Sequence, residues 1–353
     1  MRRINKNLQV RLKLQAGLSL IEIMVALLLG ALLILGISQT FISNSQSFRL
    51  NEASARTQET GRVASDVLAR ALRNAGYFGC FPVNGINNNL DQSSGAYEQT
   101  LHDYQLAGIT ADEDVRPEEA VDGADFFMVS GVRGGGVSIA ASEKVLSAAD
   151  IKVTNTGGLA AGDIVFITDC EFGDIFQLSG VPGGGAARKL VASESGSPGN
   201  DFSTNSPPGC VNNCLSAVYN EGARIMRAYN EVYYIGENGE GERALFFRDA
   251  SGNSYELVAG VRDMRVRYGK GTRAGGVDSW EDAGGIGSDW SGVIAVQISL
   301  LVRGGESNVV DEPQALCYPG WQACDGASVP LITASDRRLY RVYTFTTNLR
   351  NRI

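Results

Sequence analysis

The sequence predicts an α+β fold in which one long N-terminal α-helix packs on a C-terminal antiparallel β-sheet domain. Three observations predict it. Leu18 to Ile37 is a single apolar run broken only by Ser19 and Glu22. No proline occurs before Pro82, so a helix begun in that run can continue without a proline break. Beyond about residue 160 the chain breaks into short apolar or alternating segments with turn residues between them, the pattern of paired strands.

The first element is a basic leader, residues 1–17, with Arg2, Arg3, Lys6, Arg11 and Lys13 and no acid. The apolar run follows at once, and about 20 such residues span a bilayer as a helix. The basic flank predicts that the N-terminus stays in the cytoplasm and that residues 18–37 cross the inner membrane. Glu22 stands out, since a charge near the bilayer centre costs about 2.5–3.5 kcal/mol on insertion scales. Such a residue needs a partner, which the amine of a neighbouring chain's N-terminus supplies. A plain signal anchor with an incidental Glu22 is one alternative. A secretory signal is another, but it is cut after its apolar run at a small-x-small site, and Gly36-Ile37-Ser38 is a poor one.

The helix is expected to continue as an amphipathic segment over residues 38–76. Leu50, Ala53, Thr57, Ala64, Val67, Leu68, Ala71, Leu72 and Ala75 mark an apolar stripe, and Arg and Glu/Asp residues supply the opposite face. Gly76 is the stop signal. At about 1.5 Å per residue, a helix from Leu18 to Ala75 is about 87 Å long. Gly30 and Gly36 permit either a local bend or close helix–helix approach.

Residues 77–353 are expected to form one β-rich globular domain outside the cytoplasm. The stretch from 77 to about 130 reads as loop-rich and includes an acidic run from Asp112 to Asp125. That run lacks the spacing of a calcium loop, so a solvated acidic surface is the expectation. The triplets Gly134-Gly135-Gly136 and Gly183-Gly184-Gly185 read as flexible loops. Strands are expected at 163–168, at 231–235 and 244–248 around an Asn238-Gly239-Glu240-Gly241 turn, at 255–268, at 293–302 and at 339–347.

Six cysteines, Cys80, Cys170, Cys210, Cys214, Cys317 and Cys324, all follow the apolar run and so face an oxidising compartment. Proximity favours Cys210–Cys214 and Cys317–Cys324, leaving Cys80–Cys170 as a long-range staple. A zinc site from the two close pairs is the competing reading, but its spacings are not C-x-x-C. The net charge of −8 becomes −13 without the five leader cations, which argues against nucleic acid as a partner.

The junction Ala16-Gly17-Leu18-Ser19-Leu20-Ile21-Glu22 resembles the type III signal of type IV pilins and pseudopilins. The resemblance implies cleavage between Gly17 and Leu18 by a prepilin peptidase and N-methylation of Leu18. It makes Glu22 the fifth mature residue, where the family carries its subunit-docking glutamate. Leu18 departs from the phenylalanine most often found at the first mature position. Four further blocks resemble PilW-type minor pilins: Leu72 to Cys80; Thr168-Asp169-Cys170 with Asp174 to Gln177; Leu257 to Met264 with Arg267-Tyr268-Gly269; and Leu349-Arg350-Asn351-Arg352. That resemblance implies a low-abundance subunit of a minor-pilin complex that primes type IV pilus assembly, with a place at the filament tip consistent with that role. The implied partners are prepilin peptidase, other minor pilins, the major pilin and the inner-membrane assembly platform. A J-type pseudopilin of type II secretion shares the third block's character but is usually much shorter. A pilus-borne adhesin is the third reading.

No catalytic constellation emerges. The lone histidine, His102, is expected at the surface. Gly136-Val137-Ser138-Ile139-Ala140 lacks the last glycine of a nucleophile elbow. Gly269-Lys270-Gly271-Thr272 is not a phosphate loop. Neither enzymatic activity nor a cofactor or metal is expected.

Overall fold

A computed structural model describes residues 19–80, 85–102, 104, 108–182, 188–205, 207–322, 324 and 331–351. The chain divides into two compact units, Met1–Glu52 and Ala53–Ile353. Helix α1, Leu20–Asn74, is continuous in sequence through that boundary. In the first unit it is the described structure; in the second it forms part of a packed α+β domain.

Within the second unit, α1 buries Ala53, Thr57, Gly61, Ala64, Leu68 and Leu72, with Ala75 just past its end. Steps of three and four residues keep these on one face. The stripe starts small, which lets the sheet approach: a Cβ added at Gly61 would lie 2.4 Å from the Tyr343 ring. The Thr57 hydroxyl donates to the Ala53 carbonyl at 2.9 Å, so the one polar side chain among the buried residues of α1 is satisfied. Leu50 was grouped with this stripe by its spacing, but it is exposed and belongs to the first unit. The helix stops at Gly76, which has φ +71° and donates its N–H to the Ser130 carbonyl at 2.8 Å instead of to the preceding turn. Asn351 caps the same end, donating from Nδ2 to the Ala75 carbonyl at 3.1 Å.

The principal strands, in chain order, are β1 (Phe127–Ser138), β2 (Ile164–Thr168), β3 (Gly173–Gln177), β4 (Cys214–Asn220), β5 (Arg224–Glu237), β6 (Arg243–Asp249), β7 (Ser254–Ala259), β8 (Val261–Thr272), β9 (Gly276–Glu281), β10 (Val293–Arg303) and β11 (Tyr340–Asn348). They form two main sheets. The smaller has the order β9-β8-β10-β11, antiparallel throughout. The larger is organised on β5, which pairs with β1 along one edge. On its other edge β5 pairs first with β2, through Arg224 to Arg227, and then with β6, from Glu231 to Glu237. β7 extends β6, β3 extends β2, and Asn87–Asn88 adds a short parallel pairing to β3.

The largest core cluster unites Ala64, Leu68 and Leu72 of α1 with Phe127, Val129, Val232, Leu245, Val261, Met264, Val296, Ile298 and Leu300 from both sheets. Apolar burial of about 25 cal/mol per Å² makes this contact the main support of the unit. The expected strand over 255–268 is two strands. Gly260, at φ +83°, breaks it so that β7 stays with the larger sheet and β8 joins the smaller. A Cβ there would meet the Arg303 carbonyl oxygen at 3.0 Å. Gly134 to Gly136, expected as a loop, lies within β1, at an irregularity between the β5-paired residues Arg133 and Val137. Gly183 to Gly185 lie outside the described residues. The Asn238 to Gly241 turn is a hairpin, with Asn238 Oδ1 accepting from Glu240 N and Glu242 N at 3.0 Å each.

One buried carboxylate organises the other end of the larger sheet. Asp174 is fully buried and accepts from Asn87 Nδ2 at 2.7 Å, Asn89 Nδ2 at 2.9 Å, Ser216 Oγ at 2.6 Å and the Tyr219 hydroxyl at 2.6 Å. It thereby ties the 87–89 segment, β3 and β4 together, and charge-assisted bonds of this kind are the strong ones. The structure contains disulfides Cys80–Cys170, Cys210–Cys214 and Cys317–Cys324. The first joins the segment after α1 to the β2–β3 turn. In the acidic run, Arg116 lies within salt-bridge distance of Glu113 and Asp122, and Asp112 accepts from the Trp290 indole at 3.3 Å.

Replacing Gly61 by Leu should lower the unfolding free energy by about 1–3 kcal/mol, the usual cost of overpacking a tight seam. Urea unfolding of the purified full chain in one detergent checks this. An unchanged midpoint would contradict the close helix–sheet approach.

Candidate functional site

The feature with functional chemistry is the start of α1. Leu20, Ile21, Ile23, Met24, Val25, Leu27, Leu28, Leu29, Leu32, Leu33, Ile34, Leu35 and Ile37 are all exposed. Consecutive positions on a helix point in every direction, so no face of this segment is polar enough to be left in water. Its mean hydropathy reaches 2.8 over an 18-residue window, long and apolar enough to cross a membrane. Neither Gly30 nor Gly36 has a neighbour within 4 Å of an added Cβ. Both leave open grooves on the helix surface where another helix backbone can approach.

Ser19 begins the helix. Its carbonyl accepts from Ile23 N at 3.2 Å, the first α-helical bond, and its hydroxyl oxygen accepts from Glu22 N at 3.3 Å. Ser19 is thus the N-cap and Glu22 occupies the third helical position. Ser-x-x-Glu at those places is the capping-box pattern. A carboxylate in the first turn also faces the positive end of the helix dipole. Glu22 therefore stands at the capping-box position, which the sequence carried in the plain form of Ser19-Leu20-Ile21-Glu22. Gly17 and Leu18 lie outside the described residues, as does the rest of the leader. Glu22 belongs to the first unit, and the six cysteines lie in the second.

His102, expected at the surface, is only 6 % exposed. It closes a short helix, Gln99–His102, and its Nδ1 accepts from Glu98 N at 2.9 Å. The ring packs near Tyr97, and Asn88 Nδ2 donates to the His102 carbonyl at 2.8 Å. Burial was hidden because a single histidine in a polar stretch carries no periodic signal. Desolvation lowers its pKa below the usual 6.5, outweighing the opposing effect of Glu98. A depressed histidine pKa means that the unfolded chain binds the proton more readily, so stability is lost as pH falls through the unfolded value. Between pH 8 and pH 5, wild type should lose more unfolding free energy than His102→Gln. Parallel pH profiles for the two proteins would contradict a buried neutral imidazole.

The aromatic face of the larger sheet is the other distinct surface. Phe127, Tyr233, Phe247 and Tyr255 occupy directly paired positions on β1, β5, β6 and β7. Successive ring centroids are 5.4, 6.1 and 5.0 Å apart. The ladder runs from fully buried Phe127 to half-exposed Tyr255. Beside it, Arg133 forms a 2.7 Å ion pair with Glu231 and stacks over the Tyr229 ring at 4.0 Å.

Against known proteins, residues 232–351 match the family model PilW, Type IV Pilus-assembly protein W. The match begins inside β5, covers the smaller sheet entire and ends just past β11, about a third of the chain. No curated protein matches, and no solved structure does.

Proposed function

On the premise that residues 232–351 make this a PilW-type chain of type IV pilus assembly, we propose that it acts as a minor pilin. Prepilin peptidase cuts the leader after Gly17, and Leu18 becomes the N-methylated terminus. The span over 18–37 holds the subunit in the inner membrane with its N-terminus in the cytoplasm and the β-rich domain outside. The subunit then joins other minor pilins on the assembly platform, in a complex that primes filaments of the major pilin and occupies the tip. Its role is structural, without catalysis.

One observation carries this reading: α1 is uninterrupted from Leu20 to Asn74, yet its first part is apolar all round and its last part buries a single stripe in a folded domain. A cleaved secretory signal would separate those parts, whereas a helix retained whole can carry the domain and offer its apolar length to lipid or to neighbouring helices. Glu22 is the one ionisable group in the apolar stretch Leu20 to Ile37. Its carboxylate suits the cationic terminal amine of an adjacent subunit, a pairing that is strong where water is excluded.

The capping role of Glu22 makes the choice of substitution important. Glu22→Gln keeps a residue that fits the capping box and removes the charge. Both Glu22→Gln and Glu22→Ala should remain in the membrane fraction and lose copurification with other pilins. Full copurification of the Gln variant would overturn the charge-pairing role. In parallel, Gly17→Ala should leave more chain with its 17-residue leader, read by intact mass; normal cleavage would overturn the assigned site.

A further inference from the structure

The split of the larger sheet on β5 opens a cleft in the second unit. β2 pairs with Arg224 to Arg227 and β6 pairs from Glu231 onward, leaving Ala228 to Asn230 without a strand on that edge. The cleft over this gap has a volume of ≈ 860 Å³, within the range of ligand sites. Three buried polar atoms without a hydrogen-bond partner among the described residues belong to residues that line it: the Tyr104 hydroxyl, Asn230 Oδ1 and Arg248 Nε. Tyr104 and Asn230 are each 1 % exposed. The Asn230 amide nitrogen donates to the Leu101 carbonyl, so the unpartnered oxygen belongs to a side chain already held in place. Buried polar atoms are normally satisfied, and these three, closed to solvent just beneath the cleft, are groups that a polar ligand entering it would satisfy.

Their chemistry narrows the class. Arg248 Nε donates, Asn230 Oδ1 accepts and a phenol does either. Hydroxyl groups, which both donate and accept, complement this mixture. The exposed end of the aromatic ladder, Phe247 and Tyr255, lines the same cleft and offers ring surface for an apolar face. An anion is disfavoured: Arg133 is paired with Glu231, Arg227 is paired with Asp163 at 2.6 Å, and Glu98 and Asp249 are also present. An added peptide strand is disfavoured as well, because the gap spans only Ala228 to Asn230 between two existing strands, whereas strands usually run to about 5–6 residues.

We infer that this cleft binds a neutral, polyhydroxylated ligand, a segment of an uncharged hexose glycan, stacked on Tyr255 and hydrogen-bonded by Asn230, Arg248 and Tyr104. The inference goes beyond the assembly role and does not depend on it. The test is calorimetric titration of the full chain, in a detergent without a sugar headgroup, with maltohexaose, cellohexaose and lacto-N-tetraose. Saturable one-to-one binding of at least one is expected, weakened tenfold or more by Tyr255→Ala and by Arg248→Met. Tyr255 is half-exposed, so its replacement leaves the fold intact, and circular dichroism of each variant confirms folding. No binding by any of the three sugars overturns the inference. So does binding that both folded variants retain at wild-type strength.

Discussion

The largest core of the second unit depends on one contact, the seam where α1 meets the smaller sheet. Small residues at Ala53, Gly61 and Ala64 let the helix lie close, and Leu68 and Leu72 then reach into the core shared by both sheets. With that face committed to the domain, the remaining surface of the helix is polar. Closer to the N-terminus the same helix has no such face, and apolar side chains point outward at every angle. One continuous element is therefore written for two solvents, and its sequence changes character where its surroundings change. That change of character is what a helix long and apolar enough to cross a membrane shows where it enters a folded domain.

Much of this was legible because helices and strands announce themselves by period. The apolar run from Leu20 onward, the stripe from Ala53 to Ala75 and the Gly76 stop lie where the helix and its termination lie, apart from Leu50. The hairpin around Asn238 was legible from its turn chemistry, and β10 from its apolar run. The failures share a cause, since each depends on a distant partner. Gly134 to Gly136 runs on within a strand because β5 pairs with β1 on both sides of it, at Arg133 and Val137, although three glycines carry no strand propensity of their own. Gly260 divides β7 from β8 because the backbone turns there between two sheets, and the flanking alternation does not show it. The hub at Asp174 joins residues 87, 89, 216 and 219, separations that no local pattern encodes.

The functional end of the chain divides in the same way. Glu22 was conspicuous as a charge in an apolar helix, and the leader junction was conspicuous by resemblance. The capping geometry at Ser19 was written in the sequence as Ser-x-x-Glu and became visible only with the hydrogen bonds of the first turn. A carboxylate in the first turn favours the helix start through the helix dipole, and the proposed pairing with a neighbouring amine does not compete with that. The family match covers 232–351, which takes in β6, β7 and the smaller sheet and leaves out the apolar start of α1. It does not include the N-terminal junction, so the support for pilus assembly from known proteins lies in the C-terminal third of the chain.

The most direct measurement is the number of surface pili in a deletion strain, with and without the retraction motor. An assembly-promoting subunit predicts loss of pili with the motor present and their return when retraction is blocked. Unchanged pilus number in both backgrounds would contradict the account and would leave secretion or attachment as the role of this protein.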